Sequence, residues 1–317
     1  MNNYANVYIT GSIAYDTIMN FPSEFRDYFH PEKLHQINVS FVVDKLEKQL
    51  GGTGTNIAYN IALIINSKFP IKLLGSVGKD GKDFINFFRK NKIDASGTIL
   101  DKELYTSAGS VITDTKNNQI WGFYYGAAKK IPHIDFKKIN KNTNFFVISA
   151  NHQNSFLYFQ KEVVKNKIHY LYDPGMVLTW ITDKDLETGV INCRYLVGND
   201  YEIAMILKRL DISINQLINR GTNVIITLGE NGVDYYDVGA KHDSPMHVKA
   251  FNVTKMIDPT GAGDAWRGGF VAGLLMNYQI IDCLKLGNVM ASFAIEKYGT
   301  VNHRPAKKEI EKRMRKI

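Results

Sequence analysis

Asp258-Pro259-Thr260-Gly261-Ala262-Gly263-Asp264 is the stretch of this chain whose residue types and spacing are best suited to chemistry. The small residues Gly261, Ala262 and Gly263 let backbone N–H groups turn inward. The apolar pattern that follows, Ala265-Trp266-Arg267-Gly268-Gly269-Phe270-Val271, reads as a helix starting there. A helix start carries unpaired donors and partial positive charge, which makes it an anion site. Asp264 places a carboxylate beside it. Phosphoryl transfer needs both parts: donors for the charge spread over the moving group, and a base for the attacking hydroxyl. The expected chemistry is that of a small-molecule kinase. A glycine-rich connection that merely starts a helix is the plainer reading, but Pro259 stiffens its entry and acids bracket the glycines at both ends.

Three further clusters could serve the same chemistry. Gly51-Gly52-Thr53-Gly54-Thr55-Asn56 leads into an apolar helix from Ile57 to Ile65. Glycines there allow close backbone approach to a ligand, and Asn56 can donate and accept. Asn199 and Glu202 follow an expected strand and share one face of a starting helix. They suit a hydrated Mg²⁺ carrying phosphates, or equally an N-cap with its capping box. Thr227-Leu228-Gly229-Glu230-Asn231-Gly232 could cradle nucleotide phosphates or be a tight turn before Val233. Gly75-Ser76-Val77-Gly78-Lys79-Asp80 brushes against a P-loop, but its spacing is short and Asp80 replaces the hydroxyl residue. The histidines have no metal-ligand spacing.

Elements alternate in the way needed to position these residues. Apolar strands are expected at Val7–Gly11, Phe145–Ser149, His169–Pro174, Arg194–Gly198 and Asn223–Gly229, with helices between them such as Tyr201–Arg209 and Asp211–Arg220. That alternation implies a largely parallel sheet covered by helices. Ligands bind beyond the carboxyl ends of such strands, where Asp173, Asn199, Gly229 and the 258–264 loop fall. Two stretches break the rhythm. In the first, about 15–44, Asn38–Asp44 looks like an exposed strand. The second, about 105–126, reads as a hairpin turning at 114–118. They form either a small lid sheet or edge strands of the main one.

Composition narrows the classes. The 317 residues are 44% hydrophobic and 12% aromatic, as in a soluble globular protein. No apolar run approaches the ~20 residues of a membrane span, and the first residues do not resemble a signal peptide. Cys193 and Cys283 give neither a disulfide framework nor metal spacing, so a cytoplasmic protein is expected. The net charge of +8 suits anionic ligands such as nucleotides, or reflects lysines scattered over solvated faces. Lys307 to Lys316, interleaved with Glu309 and Glu311, reads as an exposed terminal helix. Nothing interleaves basic and aromatic residues in the way nucleic-acid binding would need, so small molecules are the expected partners.

Taken together, these motifs resemble those of the ribokinase-like (phosphofructokinase-B) family of sugar and nucleoside kinases, nearly end to end. The resemblance implies a three-layer α/β/α domain with a mostly parallel sheet, from residues 1–14, 45–104 and 127–317. It also implies a β lid from 15–44 and 105–126, through which some relatives form homodimers. It implies ATP as donor, Mg²⁺, and in many relatives a monovalent cation such as K⁺. On this likeness Asp264 is the base and Gly261, Ala262 and Gly263 form the anion hole. Asn199 and Glu202 position Mg²⁺ and phosphates through water. Thr227, Gly229 and Gly232 flank the nucleotide, with Asn288 near its adenine. Asp258 and Thr260 match part of the cation site, with the loop around Gly299 as its remainder.

Within the family the likeness is strongest to bacterial-type adenosine kinases. It is carried by Gly11-Ser12-Ile13-Ala14-Tyr15-Asp16, Phe21-Pro22, Leu34-His35, Val39–Asp44, Gly51-Gly52, Phe123-Tyr124 and Asn199–Glu202. The implied reaction is phosphorylation of a nucleoside 5′-hydroxyl, adenosine to AMP. Asp16, Gly51, Gly52 and Asn56 would hold the ribose and Phe123 would stack on the base. Gly109 stands where such enzymes can have a second aromatic. Either Phe41, Tyr124 or Trp121 replaces that ring, or base specificity is broader. A broad nucleoside kinase, a kinase of ribose or a related furanose, and a non-catalytic nucleoside-binding protein are the other readings. The last should have lost Asp264 or its glycines, which are present.

Overall fold

Buried strands at the centre of the chain organise the molecule. The computed structural model describes residues 4–29, 39–116, 118–239 and 244–317. Along it run β1 (Asn6–Thr10), β2 (Ala14–Asn20), β3 (Lys45–Gly51), α1 (Thr53–Ile65), β4 (Ile71–Leu74), β5 (Ser76–Val77), α2 (Lys82–Lys90) and β6 (Ile99–Leu100). Next come β7 (Ser107–Thr113), β8 (Gln119–Tyr124), β9 (Asn144–Ser149), α3 (Gln153–Lys165), β10 (Tyr170–Asp173), α4 (Asp183–Asn192) and β11 (Tyr195–Asn199). The rest are α5 (Asp200–Leu210), α6 (Ile214–Asn219), β12 (Asn223–Thr227), β13 (Val233–Tyr236), β14 (Met246–Val248), α7 (Ala262–Leu275), α8 (Ile280–Ala294) and α9 (Lys307–Met314).

Among the described residues the main sheet is eight-stranded, in the order β14-β13-β12-β11-β10-β9-β1-β4. It is parallel from β12 to β4 and antiparallel across β12, β13 and β14. Every residue of β9 and β10 is buried, as strands covered on both faces must be. One face packs on α1, α2, α7 and α8 through Ile57, Phe84, Trp266, Phe270 and Leu284. The other packs on α3 to α6 through Phe156, Phe159, Leu186, Ile206 and Leu217. The three-layer, mostly parallel architecture read from the sequence is therefore the observed one. Strand order reverses between β1 and β9, opening a crevice at their carboxyl ends, the place for a ligand in such sheets.

A separate four-stranded sheet, β3-β2-β7-β8, rises from the same end. The hairpin expected within 105–126 is there, with β7 and β8 antiparallel. The strand expected at Asn38–Asp44 is not: 39–44 lie outside any strand, and Lys45–Gly51 pairs with β2 instead. The physical reason is register. Gly51 pairs with Ala14 at the base of the sheet, and each earlier residue pairs one step outward until Lys45 meets Asn20. The large-domain boundary expected at residue 45 thus moves to the glycines after 50. The helix expected from Asp211 begins at Ile214, because Asp211 sits in the left-handed region at φ 51° and ends α5, while Ser213 caps α6. Leu34 and His35 lie outside the described residues.

The P-loop-like segment serves as a joint. The Gly78 N–H donates to Thr106 Oγ1 at 2.9 Å, and Asp80 Oδ1 accepts from both the N–H and the hydroxyl of Thr106 at 2.7 Å. This clasp ties the start of β7 to the main domain.

Candidate active site

Gly261 begins the site. At φ 78° it adopts a left-handed conformation, and any Cβ there would stand 2.8 Å from Thr300. No side chain caps the start of α7, so its first turn faces the crevice with backbone donors. The expected cradle is altered in one respect: the Ala262 N–H turns back onto the Pro259 carbonyl at 3.2 Å. Asp258 shapes the approach. Its carboxylate accepts from the Thr260 N–H and the Gly299 N–H, both at 2.9 Å, joining the two loops expected to flank a monovalent cation.

Asp264 lies in the first turn of α7, half-buried, and its Oδ2 accepts from Asn56 Nδ2 at 2.8 Å. Burial pushes its carboxyl up to about 6; Arg267 and Asn56 oppose the rise while Asp16 and Glu202 add to it. Asn56 comes from α1, whose entry is packed without slack. A Cβ on Gly52 (φ 88°) would stand 2.5 Å from the Ser12 carbonyl, and Thr53 Oγ1 donates to the Ala150 carbonyl at 2.9 Å. The Oδ1 of Asn56 is buried without a partner.

Asp16 belongs to β2. A Cβ on Gly51 would collide with its carboxylate, so the glycine makes room for the acid. Burial, then the charge of Asp258, raises Asp16 to about 6. Across the small sheet the register aligns Gln49 with Asp16, Asp16 with Gly109, and Gly109 with Phe123. Paired residues share a face, so Asp16 and Phe123 look the same way across a gap that carries no side chain. Two strand spacings put them roughly 10 Å apart. Phe123 is 39% exposed and meets Tyr125 edge-on at 4.9 Å; Tyr125 in turn meets His152 at 5.1 Å. Of the rings considered as replacements at Gly109, Phe41 packs instead among Phe21, Phe25, Tyr28 and Phe29. Tyr124 pairs with Ala108 on the opposite face. The side chain of Trp121 lies outside the described residues.

At the carboxyl edge of the main sheet, Asn199 and Thr227 are paired neighbours. Asn199 caps α5 and Glu202 closes the capping box, with bonds of 2.7 and 2.9 Å. Glu202 also acts electrostatically on Asp173, Asp264 and Arg267. Gly229 to Asn231 form a tight turn into β13. A Cβ on Gly229 (φ 58°) would meet open space, whereas one on Gly232 (φ 99°) would strike the Val248 carbonyl. Asn288, expected near the adenine, keeps its side chain inside the protein. It is 5% exposed, its Oδ1 accepts from Trp266 Nε1, and its Nδ2 donates to the carbonyls of Val248 and Lys249. Both amide hydrogens are engaged, so it holds the wall behind the turn.

Arg267 was not among the expected site residues, and Asp173 was expected at the ligand end of the sheet without a role of its own. Arg267 Nη2 donates to Asp173 Oδ1 at 2.6 Å, and its Nε lies 2.6 Å from Oδ2. A usable signal was present: an arginine inside the run Ala265–Val271 is buried with the helix and must find a carboxylate. Among the described residues no group of three or more His, Cys, Asp or Glu forms a metal cluster, and no helix is long and apolar enough to cross a membrane.

An α/β/α sandwich with a four-stranded cover, and a carboxylate at an uncapped helix start beneath it, is the arrangement of a ribokinase-fold small-molecule kinase. The chain belongs to the pfkB family of carbohydrate kinases, whose profile matches residues 13–307. It is similar to the nucleoside kinase of Methanocaldococcus jannaschii, 28% identical over 294 residues that span 92% of this chain and 94% of that protein. The ribokinase of Lactococcus lactis is 26% identical over 279 residues, 84% of this chain and 86% of its own. Among solved structures, the nucleoside kinase of Burkholderia thailandensis in complex with inosine aligns with a TM-score of 0.84 and 26% identity, covering 98% of this chain and 97% of that one.

Proposed function

We propose that this chain is an ATP-dependent nucleoside 5′-phosphotransferase that accepts adenosine together with other nucleosides. The row Asp16–Gly109–Phe123 carries the reading: a carboxylate suited to ribose hydroxyls and a ring suited to a base share one face, with a glycine between them. A carboxylate that accepts from two adjacent hydroxyls rejects analogues lacking one. The nucleoside-kinase relatives at 28% and 26% identity support the same acceptor class. Among the described side chains no second ring stands at Gly109, which favours several bases over adenine alone.

In this reading Asp264 takes the proton of the 5′-hydroxyl, held in place by Asn56. The start of α7 from Gly261 to Gly263 receives the transferring phosphoryl group. Thr227, Gly229 and Gly232 flank the nucleotide, Gly229 over open space. Glu202 and Asn199 would hold Mg²⁺ through water, a fit for an ion that prefers one or two carboxylates plus phosphates. Bound there, Mg²⁺ would neutralise phosphate charge. A monovalent cation would sit by Asp258 and Thr260, where the 258–264 and 299 loops meet.

A homodimer through the small sheet belongs to the same proposal. Leu46, Met19, Ile112 and Ile120 align across the face opposite Asp16, and Leu46 and Ile120 are 62% and 38% exposed. Cytoplasmic residence fits two buried free thiols, Cys193 and Cys283.

The test is ADP release with Mg-ATP and K⁺ against adenosine, inosine, guanosine, cytidine, ribose and fructose 6-phosphate. Turnover of several nucleosides supports the proposal, and adenosine alone narrows it to an adenosine kinase. Turnover of sugars alone refutes it.

A further inference from the structure

We propose that Arg267 is a fixed cation of the phosphoryl-transfer site, clamped by Asp173 beneath the start of α7, where its charge offsets that of the transferring group. The inference rests on the kinase reading above. Arg267 and Asp264 stand three residues apart on α7 and so share a face. The guanidinium is 7% exposed and its partner Asp173 is 4% exposed, at the carboxyl end of β10. Nη1 lies against the first turn of the helix: a Cβ on Gly263 would stand 2.7 Å from it. The absent side chain at Gly263 therefore brings the cation up to the backbone that faces the crevice.

Stability does not account for this pair. Taking two charges out of water costs about as much as their attraction returns, and apolar replacements of buried pairs are often neutral or stabilising. The charge balance of the crevice does account for it. Asp173, Asp264 and Glu202 all act on Arg267, and Asp16 acts on Asp264. Without Arg267 an anionic phosphoryl group would enter a crevice whose charged side chains are carboxylates acting on one another, facing only the roughly half charge of a helix start. That helix start has one donor fewer than expected, since the Ala262 N–H is turned onto Pro259. A guanidinium held rigidly in a buried position supplies the missing positive charge without reorganising during the reaction.

The step itself is an in-line displacement. The acceptor oxygen bonds to the γ-phosphorus as the bond from phosphorus to the ADP oxygen breaks; the proton goes to Asp264 and the electron pair leaves with ADP. Arg267 makes and breaks no bond. It offsets charge on the peripheral oxygens.

The experiment removes both buried charges together, so that neither is orphaned, in Asp173→Asn/Arg267→Met and in Asp173→Asn/Arg267→Gln. Steady-state kinetics with a nucleoside that the wild type phosphorylates are read beside thermal unfolding and affinity for two nucleotides, an imido analogue of ATP and ADP with aluminium fluoride. The expected result is near-wild-type unfolding and imido-analogue affinity, with kcat and aluminium fluoride affinity down by ~10²-fold or more, the scale of losing one transition-state donor. Arg267→Lys should fall between wild type and the double variants. A folded double variant whose kcat stays within about tenfold of wild type, below the scale of a lost transition-state donor, overturns the inference. A wild type that phosphorylates no nucleoside overturns the kinase reading instead.

Discussion

Asn56 Nδ2 donates to Asp264 Oδ2 at 2.8 Å, so a residue expected to grip the acceptor also orients the carboxylate expected to deprotonate it. The bond joins the starts of α1 and α7, 208 residues apart in the chain. It favours the ionised carboxylate. Asn56→Leu should therefore move the acidic limb of the pH–rate profile to higher pH and lower kcat, as a kcat titration would record. An unmoved limb would detach Asn56 from Asp264.

Asp264→Asn should cut kcat by ~10²–10⁴, the worth of a general base, with little change in KM. Burial places the Asp264 carboxyl near 6, against an ordinary 3.8, so wild-type kcat should rise with pH through about 6. The variant should lose that limb. A loss below about tenfold would remove Asp264 from the role.

The same shift acts on stability. Between about 4 and 6 the folded protein keeps a proton on Asp264 that the unfolded chain has released, so this group's contribution falls as pH rises through that window. Its full cost is present above about 6. Asp264→Asn should therefore unfold at a higher temperature than wild type at pH 8, and the gap should close by pH 4. Paired melting curves at the two pH values decide it.

Asp16→Ala should raise KM for the nucleoside by roughly ten- to a hundredfold, the scale of hydrogen bonds to a charged group, and leave KM for ATP unchanged. Equal effects on both substrates would mean a folding defect instead of a lost contact.

Phe123→Ala should remove ~1–3 kcal/mol of base stacking and raise nucleoside KM about ten- to a hundredfold. Any turnover of free ribose should be indifferent to the change. A nucleoside KM that stays at the wild-type value would place the base elsewhere.

Thr106→Val keeps shape but removes the hydroxyl that accepts from Gly78 and donates to Asp80. With Thr106 1% exposed, the stranded groups should cost ~1–3 kcal/mol, visible in urea unfolding.

The kinase chemistry and the sandwich were legible in the linear chain because both are local. Seven consecutive residues carry the proposed base and the glycines of the helix start, and fully apolar strands alternating with helices announce a covered parallel sheet. The position of β3 was not legible. Lys45–Gly51 has only Leu46 and Leu50 as apolar side chains, a weaker strand signal than the stretch before it, and pairing with β2 decided between them.

Long-range contacts decided the rest. Asn199 and Glu202 permitted a capping box or a phosphate site, and the fold forms the box while the Glu202 charge still acts on Arg267. Nothing local in the sequence shows that the amide of Asn288 on α8 bonds to the carbonyls of Val248 and Lys249. Arg267 looked like one charge in an apolar helix until β10 brought up Asp173, 94 residues away. Residue type and spacing specify which groups a segment offers. Which partner satisfies a buried charge or amide depends on elements distant in sequence, because desolvation is settled only when the layers close.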